Sequence, residues 1–494
     1  MEDKATHWRN NTHPNWWMDP GLRKSTVWVV LLYFGCFVIG YDGSLMNGFQ
    51  AMPHWNKTFN NPSGTRLGLI TASLYFAQIP TTVLIPWICD TYGRRTSIVL
   101  GSIGIIAGAL ITCFSQNEAM FISGRVVIGL FCDFPLIACS CLINELVHPR
   151  LRGISAGLFM ITYNFGSLIA AWVTFVCILW DSDWSWRLPA LFQAVGPVIL
   201  VFVGLICPES PRYLISRGNE NQAMKILAKY HANGDHDDEL VQREFQEISM
   251  HIRQEKENSV GSWRSLIATP GNRHRLLIMC IVSSGIIITG IGPIASYLPP
   301  VLRSVGITDP IKISIINGGL AIFNTFMSVV GGLCVDRIGR RSLFLISTIG
   351  MLVTYTVIIG LAASFTSTPD PSPAIGIAFV VMFFLCYGSY DIAWVPLAQL
   401  YNVEILPFSI RSKALSVGNV VTTICLSISN FVNPIGLERL HWRFYTVFLA
   451  IQFIYLALIW WFFIETRGHT IEQVSVLFDK EPVIHSRPNP IEQD

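Results

Sequence analysis

Apolar residues along this chain fall into twelve runs of about 20, the length a helix rising about 1.5 Å per residue needs to cross about 30 Å of hydrocarbon. The runs begin near Val27, Leu67, Ser97, Phe121, Ile154, Leu188, Leu276, Ser314, Ser342, Ala374, Ser412 and Phe444. One long polar stretch separates the sixth from the seventh; it runs from about Pro208 to Arg275 and carries Lys225, Lys229, Arg243 and many acids. The pattern predicts an all-α integral membrane protein with twelve transmembrane helices in two six-helix bundles. The expected organisation is a tail over 1–26, a bundle over 27–207, a connector with short helices over 208–275, a second bundle over 276–464 and a tail over 465–494.

Composition agrees. The 494 residues are 51% hydrophobic and only 13% charged, and a mean hydropathy of +0.47 is far above what a soluble chain of this size needs. The twelve cysteines all lie in or at the ends of apolar runs, where they read as small core residues, and no metal-ligand spacing is present. The polar first twenty residues, with Trp8, Trp16 and Trp17, do not read as a cleavable leader. With both tails on the cytoplasmic side, 26 of the 34 Lys and Arg fall inside and seven outside, with Arg125 within a span; this is the positive-inside bias, although ten of the 26 sit in the long connector. The sequon at Asn56 then lies outside, a candidate glycosylation site, and the one at Asn10 lies inside, where it is expected to be unused.

The two bundles repeat one another. Asp90-Thr-Tyr-Gly93-Arg94-Arg95 returns as Asp336-Arg-Ile-Gly339-Arg340-Arg341, 246 residues on. Glu145, Pro149 and Arg152 return as Glu404, Pro407 and Arg411, Trp186-Arg187 as Trp442-Arg443, and Glu209 as Glu465, at offsets of 256 to 259. Several paired features at nearly one spacing mean two homologous halves, the repeat expected of carriers whose site lies between them.

These motifs, with Gly40-Tyr41-Asp42, Gly124-Arg125, Pro208-Glu209-Ser210-Pro211-Arg212 and Glu465-Thr466-Arg467-Gly468, resemble the sugar porter family of the major facilitator superfamily over nearly the whole chain. Tyr297-Leu298-Pro299 and Ala170-Ala171-Trp172 look most like the fungal lactose-permease-like members. The resemblance implies the two-bundle carrier fold and alternating access. It also implies a cytoplasmic gate built from Asp90, Arg94, Glu145, Arg152, Glu209, Arg212, Asp336, Arg340, Glu404, Arg411 and Glu465. From the residues alone, these charges can form networks only while the inner faces of the halves meet; the alternative is that the arginines anchor loops to anionic headgroups.

Ionisable residues inside spans are costly, so each one is informative. Asp42 and Arg125 share a depth and can pair. The family links an Asp in this context to proton coupling, with the span-four Arg setting its proton affinity; the alternative is a static pair that orders the bundle. Asp133 lies eight residues beyond Arg125, about 12 Å deeper, where the family has small or apolar residues. It either contacts substrate or sits protonated against a neighbouring helix. Asp391 falls where glucose-carrying animal members have a Glu that contacts sugar.

The substrate positions depart from the family. Aligned on neighbouring motifs, the amides expected in spans five and seven are Met160, Ile286, Ile287 and Gly292, and a Trp is replaced by Gln399. Asn324 and Asn430 keep polar positions. A buried hydroxyl without a partner costs about 1–3 kcal/mol, so this cavity reads as more apolar than a glucose carrier's, unless Gln78, Asn164, Asn317 and Gln399 rebuild a polar site.

The expected activity is proton-coupled secondary transport of a sugar or sugar-like solute. The alternatives are a less polar metabolite or organic acid carried on the same scaffold, and a non-transporting sugar receptor, against which the short tail counts. No catalytic set, phosphate loop or metal cluster is present, so no enzyme, cofactor or nucleic-acid role is expected. The partners expected are a small-molecule substrate, protons and membrane lipids, for a monomer in the plasma membrane.

Overall fold

The computed structural model describes residues 10–13, 15–257, 263–368, 372–467, 474 and 478. Spans 1 to 6 are Pro20–Ala51, Gly64–Tyr92, Arg94–Cys113, Glu118–Leu146, Pro149–Cys177 and Trp184–Ile206. Spans 7 to 10 are Pro270–Ser304, Pro310–Val335, Arg340–Ser367 and Pro373–Ile405, and spans 11 and 12 are Phe408–Leu440 and Phe444–Phe462. The chain is a twelve-span membrane protein of two six-helix halves. Several spans begin before their apolar runs because the sequence supplies caps. Asp19 accepts a hydrogen bond from Leu22 N at 2.9 Å, and Thr269, Asp309 and Ser372 cap spans 7, 8 and 10 in the same way, each followed by a proline in the first turn.

Close packing inside the first half depends on glycine. A methyl group at Gly40 would run into the Tyr163 carbonyl, one at Gly166 into the Phe37 carbonyl, and one at Gly129 into the Leu74 carbonyl. Backbones this close suit a lipid environment, where small residues rather than water expulsion hold helices together.

The two basic turns are built alike. Gly93 and Gly339 take φ of 95° and 102°, a region that favours glycine. Glu209 then accepts from the backbone N–H groups of Arg94 and Arg95, at 3.3 Å each. Glu465 does the same for Arg340 and Arg341, at 2.7 and 3.1 Å. Each glutamate therefore caps the free N–H groups at the start of span 3 or span 9, where the helix dipole favours an anion.

Four spans are broken: span 1 at Tyr33, and three others at positions that border one cavity. Span 4 is interrupted at Cys132, span 6 between Phe192 and Val195, and span 7 between Ile288 and Gly292, where Gly290 has φ of 103°. Cys132, Gln193, Ile291 and Gly292 all line the central cavity. Irregular backbone at membrane depth is tolerated where it borders such a cavity.

The halves meet at the end opposite the basic turns. Asn47 Nδ2 donates to Ala295 O at 2.5 Å, Gln50 Nε2 to Ser296 O at 2.8 Å, Arg303 Nη2 to Gln50 O at 2.9 Å, and Ser63 Oγ to Glu438 Oε1 at 2.8 Å. At the basic-turn end the halves stand apart. The span 5 face that reaches the cavity through Asn164 continues past Met160, which is 51% exposed, to Gly157 and Gly153, where an added methyl would meet nothing within 4 Å.

The connector forms helices Pro211–Ser216, Glu220–His231 and Glu239–Glu257, and it docks on the first half. His231 Nε2 lies 3.1 Å from Leu146 O and its Nδ1 lies 2.5 Å from Glu244 Oε2, while Arg152 Nη2 lies 3.5 Å from Glu244 Oε1. Burial, and then the neighbouring His231, push His148 down to about 4. Burial acts to raise Glu244, but the charge and hydrogen bond of His231 and the charge of Arg152 hold it below the usual range. Both depressed groups stabilise the docked state at neutral pH. The His148 contribution is lost as pH falls from about 6.5, its unfolded value, to about 4, and that of Glu244 at lower pH still. Amide exchange of residues 220–257 should therefore accelerate over pH 6.5 to 4, and His148→Gln should flatten the upper part of that response.

Candidate functional site

Between the halves lies a cavity of about 400 Å³ lined by spans from both halves, a size suited to a small organic solute. On the first-half side Asp42, 7% exposed, receives a hydrogen bond from Gln193 Nε2 at 2.8 Å and lies 3.4 Å from Arg125 Nη1. Asp42 lines the cavity, whereas Arg125 is 1% exposed behind it. The structure thus brings the two ionisable residues singled out from sequence into one buried pair. Gln193 was missed; its signal was a single amide in the otherwise apolar run of span 6.

On the second-half side Asp391, 2% exposed, lines the same cavity. Its Oδ2 lies 3.2 Å from the Asn324 amide, which also reaches Leu320 O at 3.2 Å, so the amide nitrogen donates to both oxygens. Among the described residues no ion pair joins Asp391 to a cation.

The other substrate positions divide. Ile286, Ile287, Gly292, Gln399 and Asn430 line the cavity with Asn324 and Asp391. Met160 does not; it lies one turn from Asn164, about 6 Å toward the open end, on the wall of the vestibule. Asp133 is also absent from the lining. The break at Cys132 turns its side chain toward span 2, where Gln78 Nε2 donates to Oδ1 at 2.5 Å and Thr82 Oγ1 to Oδ2 at 2.8 Å. Gln78, Asn164, Asn317 and Gln399, the amides of the alternative polar site, all line the cavity beside the apolar Ile286, Ile287 and Ile291.

The charged motifs at the basic-turn end pair within each half. Arg94 holds Glu145 at 3.0 Å and Asp90 at 3.2 Å, and Arg340 holds Glu404 at 2.9 Å. Thr466 Oγ1 also donates to Glu404, at 2.5 Å, and Arg411 donates to Leu406 O at 2.9 and 3.1 Å. Arg152 reaches the connector at Glu244, and Arg212 lies in the short helix Pro211–Ser216. The side chain of Asp336 lies outside the described residues. The expectation that such pairs need the two halves together is therefore corrected for Arg94 and Arg340, whose acidic partners belong to their own half. The physical reason is that Glu209 and Glu465 cap, and Glu145 and Glu404 face, a helix start of their own bundle. Asn56 Nδ2, the atom a glycan would take, donates to Gln50 O at 3.0 Å and Met52 O at 2.9 Å.

With this geometry established, the family of sequences described as Sugar (and other) transporter matches residues 28–478. The chain belongs to that family. This carrier is a membrane transporter of the sugar porter type in the major facilitator superfamily, and not an enzyme. It is 28% identical to the MFS-type transporter criB of Aspergillus cristatus, over 91% of this chain and 92% of that one. It is 25% identical to the hexose transporter HXT13 of Saccharomyces cerevisiae, over 90% of this chain and 81% of that one. In fold the carrier is similar to the inward open conformation of the xylose transporter XylE from E. coli, with a TM-score of 0.75 and 20% identity, covering 92% of this chain and 99% of that one.

Proposed function

We propose that the carrier moves a sugar or sugar-like polyhydroxylated solute by alternating access, coupled to protons through Asp42. The observation that carries this reading is the Asp42 carboxylate, which lines the cavity while paired to a buried arginine. An opposite charge favours the ionised carboxylate and burial opposes it, so a movement of Arg125 relative to Asp42 changes proton affinity. A proton taken up on one side can then be released on the other. Asn164, Asn317 and Gln399 supply amides that can donate and accept toward alternating hydroxyls, and Gln78, Asn324 and Asn430, whose nitrogens already donate to protein oxygens, line the same cavity. Asp391 serves as a further substrate contact. The basic-turn end is cytoplasmic in this reading, as the distribution of Lys and Arg supports, and the carrier works in the plasma membrane as a monomer. The ion pairs at that end keep each half rigid while the halves rock.

The relatives point the same way by name, since HXT13 is called a hexose transporter and XylE a proton:xylose symporter. The test is uptake of radiolabelled hexoses, pentoses, polyols and organic acids into proteoliposomes at two external pH values. Uptake of at least one sugar or polyol, faster at the lower pH, is expected. Uptake confined to organic acids or apolar metabolites would overturn the substrate reading.

A further inference from the structure

The only Pro-Pro pair in the sequence, Pro299-Pro300, stands in span 7 at the end where the halves meet. An unbroken helix gives each carbonyl the N–H of the residue four places on, and proline has none to give. Pro299 therefore withholds the helical donor of Ala295 O, and Pro300 that of Ser296 O. These are the two carbonyls that span 1 of the other half reaches. Asn47 Nδ2 donates to Ala295 O at 2.5 Å, and Gln50 Nε2 donates to Ser296 O at 2.8 Å.

The same stretch supplies a third group. Tyr297 leaves helical geometry, with φ of −136° and ψ of 31°, and the Leu298 N–H is given to Asn47 Oδ1 at 3.3 Å. One side-chain amide thus meets a donor and an acceptor of one backbone defect. Asn47 and Gln50 lie three residues apart, on one helix face, and both are buried, so their bonds across the halves are shielded from water. Gln50 Oε1 is buried without a donor, which offsets part of what this closure gains.

Resting on the alternating-access reading above, we infer that Pro299 and Pro300 are positioning residues that act by withholding donors. They leave two acceptors on span 7 that Asn47 and Gln50 fill when this end of the carrier closes. Closure is thereby a match between two missing N–H groups on one half and two amides on the other, in addition to packing. An N–H restored at 299 or 300 would give its carbonyl a partner in the open and the closed state alike. The amide from span 1 would then share an acceptor it now holds without a helical competitor, and closure would gain less.

The experiment measures the distance between nitroxides by double electron–electron resonance on the full-length carrier. The labels sit on genetically encoded azido residues in place of Lys57 and Lys312, which are exposed at this end on different halves; this chemistry spares the native cysteines. The ratio of open to closed carriers is read without a solute. Pro299→Ala and Pro300→Ala should each raise that ratio by about threefold to tenfold, and both should fold, since alanine is the better helix former. Gln50→Leu should also open the carrier, and Pro300→Ala added to it should open it no further. Asn47→Leu and Pro299→Ala should couple in the same way. The crossed pairs, Pro299→Ala with Gln50→Leu and Pro300→Ala with Asn47→Leu, should multiply.

Proline variants that leave the distances unchanged, or that close the carrier further, would overturn the inference. So would matched pairs that multiply as the crossed pairs do, because the prolines would then act through helix shape alone. Failure on either count leaves the transport reading standing, since that reading is tested by solute uptake into proteoliposomes. Absence of uptake for every solute would remove the transport reading while the distances still decided the role of the prolines.

Discussion

Asp42→Asn is expected to abolish uphill accumulation of the transported solute in proteoliposomes while leaving binding and equilibrative exchange. With one proton per solute, a gradient of one pH unit supports about tenfold accumulation, since about 1.4 kcal/mol corresponds to a factor of ten. The variant should fall from that ratio to about one. The amide that replaces the carboxylate still accepts from Gln193, whose Nε2 lies 2.8 Å away, so the wall of the cavity keeps its shape. What is lost is the proton and the partner of Arg125. A buried guanidinium without its carboxylate costs about 3–5 kcal/mol, so a melting curve must accompany the transport assay. The double variant Asp42→Asn with Arg125→Gln removes both charges and separates coupling from instability. Accumulation that persists unchanged in a well-folded Asp42→Asn carrier would show that the proton travels elsewhere.

Gly166→Val is expected to leave almost no folded carrier. A methyl at Gly166 would occupy the Phe37 carbonyl, and spans 1 and 5 have backbone on both sides of that contact. Neither side can yield by turning a rotamer, so the helices must separate, at a cost on the order of 3 kcal/mol or more. Gly157→Ala, nine residues earlier on the same helix, is the matched control. Nothing lies within 4 Å of an added methyl there, and alanine favours helix by about 1 kcal/mol over glycine. Size-exclusion profiles and thermal midpoints in detergent should show collapse of the first variant and an equal or higher midpoint for the second. A monodisperse Gly166→Val carrier melting near wild type would mean that the two helices are further apart than described.

The contrast between these two glycines shows how much of the molecule was legible in advance. Apolar run length and the positions of caps are local properties, so the twelve spans and the polar connector could be read directly, with starts placed several residues late where Asp19, His148, Thr269 or Asp309 begins a helix before the apolar residues do. Nothing local distinguishes Gly157 from Gly166, because the difference lies in what another span brings to each.

Asp133 makes the same point at the site. Its depth could be counted along the helix, but the break at Cys132 decides that it faces Gln78 and Thr82 rather than the solute. Met160 and Asn164 share one helix face, and only the parting of the halves at one end assigns the first to a vestibule and the second to the cavity. The duplicated acids and arginines were visible as pairs in register, yet sequence could not say whether they would pair across the halves or within them. The helix starts at Arg94 and Arg340 decided this, by offering free N–H groups to the nearest glutamates, Glu209 and Glu465.

By itself, then, the sequence determined the class of protein, the two homologous halves and the identity of the charged residues placed within the membrane, since hydrophobicity, length and repetition are written along one dimension. The tertiary structure decided which of those residues meet and which amides reach the cavity. That depends on how helices rotate and break against one another.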